Sequence, residues 1–197
     1  MEHSVSWVMG YHRRPRGERD RVGGLPDHLP HVWPVCQLCQ ERMEFVGQLY
    51  ARDGLPLGDS LGLQFYVCDS CRRTFKGLAN DSLPIHMEML TRRAAGRSGR
   101  KGVRCRRQPV LYISYTPVED SMDQWTLIRR KLSEEELPDK HLRQDKVGGL
   151  FPYGNDSDGP KITPTNRMVA QFMWAAVGGP IYLYQSSTRG LYLYHYR

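Results

Sequence analysis

Short apolar runs, bounded by glycine, proline, aspartate or serine, recur along the chain and predict strands rather than helices. Met43 to Tyr50 and Leu61 to Val67 are two such runs. Leu111 to Tyr115, closed by Pro117, is a third, and Val169 to Trp174, Ile181 to Gln185 and Leu191 to Tyr196 follow near the end. In the last run Tyr192, Tyr194 and Tyr196 alternate with Leu191, Leu193 and His195. Period-two alternation puts the two sets on opposite faces of a sheet. The best helix candidate is Met122 to Leu132, with Ser121 as N-cap and Gln124 three residues later. Pro84 to Leu90 reads as a second, short helix.

The pattern repeats. Val22-Gly-Gly-Leu25, Gln48 and a strand opened by Gly62 occur in that order in the first half. Val147-Gly-Gly-Leu150, Gln171 and a strand opened by Gly190 occur in the second. From the second Gly to the Gln is 24 residues in one half and 22 in the other. Ordered markers at similar spacing predict a duplicated β unit. The expected fold is therefore β-rich α+β: a duplicated antiparallel β unit with a few short helices. Its expected divisions are an N-terminal extension (1–19), a first β repeat (20–90), a basic loop (91–107) and a connecting strand and helix with the second repeat (108–197).

Charge sharpens that division. The formal charge of the 197 residues is +7. Eight basic residues and no acidic one lie between Thr91 and Arg107, and the remaining 20 basic residues meet 21 acidic ones. The excess belongs to one segment, poor in apolar residues and expected to be an exposed loop. Arg92, Arg93, Arg97, Arg100, Lys101 and Arg104 are its candidate contacts to a polyanion or an acidic partner. Mean hydropathy is −0.58 and no apolar run approaches a membrane span. The first residues show no basic region leading into an apolar stretch, so no signal peptide is expected.

The strongest chemical signal is cysteine. Cys36-Gln-Leu-Cys39 and Cys68-Asp-Ser-Cys71 are two Cys-x-x-Cys pairs separated by 28 residues. Each turn can aim two thiolates at one point, and two turns complete a tetrahedral zinc site. Four protein sulfurs leave no open position, so the expected zinc is structural rather than catalytic. A redox dithiol needs only one pair. Cysteines reserved for metal point to the cytoplasm.

Other candidates read as scaffold. The double glycines suit turns with positive φ better than an anion nest, because no Walker lysine or Gly-x-Gly-x-x-Gly accompanies them. Gln48 and Gln171 sit in apolar strands, where their amides need backbone partners. Cys105 among Arg104, Arg106 and Arg107 reads as a surface thiol. No catalytic group is expected.

Val22-Gly-Gly-Leu-Pro26, Trp33-Pro-Val-Cys-Gln-Leu-Cys39, Met43-Glu-Phe-Val-Gly-Gln-Leu49 and Gly62-Leu-Gln-Phe-Tyr-Val-Cys68 follow one another in an order that resembles the bacterial YwqG-like family. The same order is similar to the N-terminal region of the programmed cell death protein 2 family. The resemblance implies a pseudo-duplicated β fold without enzymatic activity. It also implies a protein partner, either a ribosomal protein met by a dedicated chaperone or a toxin met by an immunity protein. Nucleic acid held by the Arg-rich loop is the alternative partner.

Overall fold

The computed structural model describes residues 4–74, 79–80, 85–91, 109–122, 144–151, 162–173 and 180–195. The strands are β1 (Val5–His12), β2 (Arg21–Val22), β3 (Glu44–Tyr50), β4 (Gly62–Val67), β5 (Ala79–Asn80), β6 (Ile85–Leu90), β7 (Leu111–Glu119), β8 (Lys146–Val147), β9 (Asn166–Phe172), β10 (Ile181–Ser186) and β11 (Gly190–His195). One helix, α1 (Asp69–Thr74), is described. The strands form a single sheet in the order β5-β11-β10-β9-β8-β1-β7-β2-β3-β4-β6. Every pairing is antiparallel.

Three local expectations change. Ile85–Leu90, expected as a short helix, is the strand β6, paired along its length with β4. Its Met, Glu and Leu residues favour helices intrinsically, and tertiary pairing overrides that preference. β7 does not stop before Pro117: it runs to Glu119, with Pro117 opposite Trp7 of β1. The strand on its other side, β2, reaches only Leu111 and Tyr112, so Pro117 stands where one flank has no ladder to interrupt. Val5–His12, set apart as part of an extension, is a central strand between β7 and β8. Residues 123–132 of the expected helix, and residues 92–108 containing the basic cluster and Cys105, lie outside the described residues.

The sheet curls around one apolar core. Phe65 of β4 and Phe172 of β9, from opposite halves of the strand order, meet edge to face with ring centroids 5.3 Å apart. Leu49, Leu63, Ile113, Val147 and Leu183 fill the space around them. A second layer holds the tyrosines: Tyr184 stacks on Tyr192 at 5.6 Å, with Phe151, Tyr182 and Tyr194 beside them. Leucines on the inner face and tyrosines on the other follow from the alternation along β10 and β11.

β3 and β9 share an irregularity. The β3–β4 register shifts at Val46, and the β9–β10 register shifts at Val169. Each shift leaves one extra residue on the bulged strand. The carbonyl of Val46 accepts from Gly23 N at 2.6 Å, and that of Val169 accepts from Gly148 N at 2.8 Å. Gly23, Gly24, Gly148 and Gly149 all have φ between 69° and 79°, the conformation their lack of Cβ permits. The third repeat marker does not correspond: Gly62 opens β4, beside β3, whereas Gly190 opens β11, one strand beyond the neighbour of β9.

Candidate metal centre

Pro34 to Met43 fold back on themselves to form the first knuckle. Val35 pairs with Arg42 across an isolated bridge, Cys36 N donates to Glu41 O at 2.8 Å, and Gln40 N donates to Cys36 O at 2.8 Å. Gln40 takes φ of 60° to close the turn. Cys68 directly follows β4, and Cys71 lies in the first turn of α1. The second pair thus sits where a strand meets a helix, as a redox pair would. The four sulfurs nevertheless converge.

The sulfurs of Cys36, Cys39, Cys68 and Cys71 all lie within 4.8 Å of one another, and those of Cys39 and Cys68 are 3.5 Å apart. Four sulfurs about 2.3 Å from a central ion at tetrahedral angles stand about 3.8 Å apart, so the quartet matches a metal cage. None of the four forms a disulfide. Among the described residues this is the one cluster of three or more potential ligands, and His28 and His31 are not in it.

An apolar layer supports the cage from below. Cys36 and Cys68 are buried with Met43, Phe45 and Tyr66. Trp33 lies edge to face on Tyr66 at 5.4 Å, and its indole N–H donates to Met43 O at 2.7 Å. Cys39 faces solvent. The Glu41 backbone N–H holds the Cys39 thiol below its ordinary range, whereas desolvation and the neighbouring sulfurs push Cys71 up. Desolvation also raises Cys68. A bound dication reverses this crowding, because a coordinating thiol is deprotonated.

Two polar corners, one in each half, escaped the sequence reading. Asp20 precedes β2: its carbonyl accepts from Ile113 N at 2.9 Å, and its carboxylate accepts from Tyr50 N at 2.7 Å and Tyr115 OH at 2.7 Å. Asp145 precedes β8: its carbonyl accepts from Met9 N at 2.7 Å, and its carboxylate accepts from Met173 N at 2.8 Å and Tyr11 OH at 2.6 Å. Desolvation raises both carboxyls above their ordinary range. Arg52 adds a 3.0 Å ion pair to Asp20 and lies 3.2 Å over the Tyr115 ring. The glutamines bond to backbone as expected: Gln48 Nε2 donates to Arg19 O at 3.1 Å and Gln171 Nε2 to Gln144 O at 2.9 Å. The signal was present as Asp20-Arg-Val-Gly-Gly-Leu25 against Asp145-Lys-Val-Gly-Gly-Leu150, one acid and one base ahead of each shared motif.

The bases have parallel roles. The Arg21 guanidinium donates to Leu25 O and the Lys146 ammonium to Leu150 O. Arg21 also pairs with Asp27 at 2.6 Å. Lys146 is fully buried, 4.9 Å over the Phe151 ring and 3.2 Å from Ser6 Oγ, which donates to Asp120 at 2.8 Å.

No protein-family model matches the chain, and comparison with curated proteins finds no match. No described helix is long and apolar enough to cross a membrane.

Proposed function

We propose that this chain is a non-enzymatic, cytoplasmic protein-interaction module of YwqG-like type, stiffened by a structural zinc ion at Cys36, Cys39, Cys68 and Cys71. The observation behind this reading is the convergence of four thiols within 4.8 Å. Thiolate is the preferred donor for zinc, and four protein donors close the coordination sphere to water and substrate. A closed site contributes folding energy, not chemistry. Its position just before β3 and just after β4, where Glu44 pairs with Val67, makes it a clamp on the first half of the sheet.

The same reading takes the two halves as a duplicated unit. Arg21 opposes Gln48 as Lys146 opposes Gln171, and Val22 opposes Gly47 as Val147 opposes Ala170. The bulges at Val46 and Val169, and the Asp–Tyr corners, support it further. In this unit β1 corresponds to β7, and each pairs with the short strand of the opposite half. The halves are then joined by reciprocal exchange of their first strands.

The partner is a second protein, in a chaperone-like or immunity-type role. The eight basic residues between Thr91 and Arg107 favour nucleic acid as the second reading. The test is crosslinked affinity purification of the tagged chain from its host, with and without nuclease and over a salt series. A discrete protein that survives both treatments, and rebinds the purified wild-type chain but not a metal-stripped one, supports the proposal. Retention of nucleic acid alone, with a steep salt dependence, overturns it in favour of the second reading.

A further inference from the structure

A cavity of about 730 Å³ opens at the seam between the two halves. The loop after β3 supplies Asp53, Gly54 and Leu55, β1 supplies Trp7, the double-glycine turn supplies Gly148 and Gly149, and β9 supplies Arg167. Its size falls within the range of about 300–1,000 Å³ typical of ligand sites and exceeds what one amino acid fills.

The lining has an apolar floor and two opposite charges. Leu55, Leu150, Ile162 and Met168 are buried beneath it. Gly54 and Gly148 bring two backbones together: a Cβ on Gly54 would lie 3.2 Å from Gly148 Cα and 3.4 Å from Trp7 Cδ1. The missing side chains expose the indole and the peptide backbone to the cavity. Asp53 has no hydrogen-bonding or ionic partner among the described residues. Arg167 is held through Nε at 3.0 Å and a terminal nitrogen at 2.8 Å, both to the neutral Gln185 Oε1. Among the described residues no carboxylate lies within ion-pair reach of it. The Trp7 indole N–H likewise has no acceptor among the described residues.

An acid and a guanidinium that share a cavity without pairing are complementary to a ligand carrying both charges. The buried floor asks for apolar side chains between them. We propose that the seam cavity binds a short peptide with free termini and apolar side chains, its ammonium on Asp53 and its carboxylate on Arg167. Charge-assisted hydrogen bonds orient the termini, and a guanidinium suits a carboxylate because it can donate in parallel.

The test is calorimetric titration of the full zinc-loaded chain with an unblocked Leu-Ala-Leu tripeptide, with Phe-Ala-Phe, and with their N-acetylated and C-amidated forms. Asp53 and Arg167 are exposed, so Asp53→Asn and Arg167→Gln should fold, and melting temperature checks that they do. Acetylation should weaken binding to the parent about tenfold or more and have no effect on Asp53→Asn; amidation should behave likewise with Arg167→Gln. No binding of either unblocked peptide at about 1 mM overturns the proposal. So does binding that is indifferent to blocking the termini, or equal loss for blocked and unblocked peptide in the variants. Because metal content and partner capture are not read, failure here leaves the interaction-module reading standing.

Discussion

Gly149→Ala probes the buried corner around Lys146. A Cβ at Gly149 would lie 2.7 Å from Asp120 Oδ2, 2.8 Å from Ser6 Cα and closer still to Ser6 Oγ. Ser6 is in the central strand β1 and Asp120 directly follows β7, so neither can retreat without disturbing the middle of the sheet. Two costs combine. A non-glycine residue at φ of 74° loses about 1–2 kcal/mol, and overpacking adds about 1–3 kcal/mol. The expected loss is about 2–5 kcal/mol, a large share of the roughly 5–15 kcal/mol that folds a domain. Gly58→Ala is the control: its φ is 56° and nothing lies within 4 Å of the added Cβ. It should lose only the backbone part, about 1–2 kcal/mol. Urea unfolding of both variants measures the difference, read as a shift of midpoint at constant slope. Equal losses within about 0.5 kcal/mol would refute the packing argument, because only the steric part separates the two sites.

Protein purified without added metal should contain about one zinc per chain, and Cys68→Ser should abolish it and lower the melting temperature, as read by metal analysis and calorimetry. Burial raises the Asp20 carboxyl, so the folded state holds its proton more tightly than the unfolded chain does. That contribution is fully present below the unfolded pKa of about 3.9 and is lost as pH rises through the higher folded value. Asp20→Asn should therefore compare better with the parent at neutral pH than at pH about 4; a constant difference in urea stability between the two would contradict the shift. Tyr11→Phe removes the 2.6 Å bond to Asp145 and should cost about 1–2 kcal/mol in the same assay. Neutralising Arg92, Arg93, Arg97, Arg100, Lys101 and Arg104 should leave melting temperature nearly unchanged and shorten retention on heparin; a large loss of stability would mean the segment is packed.

The parts of this structure that could be read in advance are those encoded locally. Cys-x-x-Cys spacing fixes where sulfurs point before any tertiary contact forms, and the quartet came together. β3, β4, β9, β10 and β11 announce themselves as apolar runs because they are flanked on both sides or share a buried face. β6 does not: at the sheet edge its Ile85-His-Met-Glu-Met-Leu90 sequence needs apolar residues on only part of its length, and its composition mimics a helix. β1 mixes Ser6, Gly10 and Tyr11 with its apolar residues, and its central place depends on partners far along the chain. The Asp–Tyr corners join residues 95 and 134 positions apart, a relation no local pattern displays.

That distance also sets a timetable for synthesis. β1 is made early, yet Ser6 and the Asp120 that anchors it are separated by 114 residues, and β8 comes later still. At about 5–20 residues per second, a nascent chain carries β1 without either neighbour for roughly 6–23 s. Over that interval Val5, Trp7, Val8 and Met9 lie on a segment with two open edges, the arrangement most prone to intermolecular pairing. Slowing translation of the segment before β7 should therefore lower the soluble yield more than slowing it after β8.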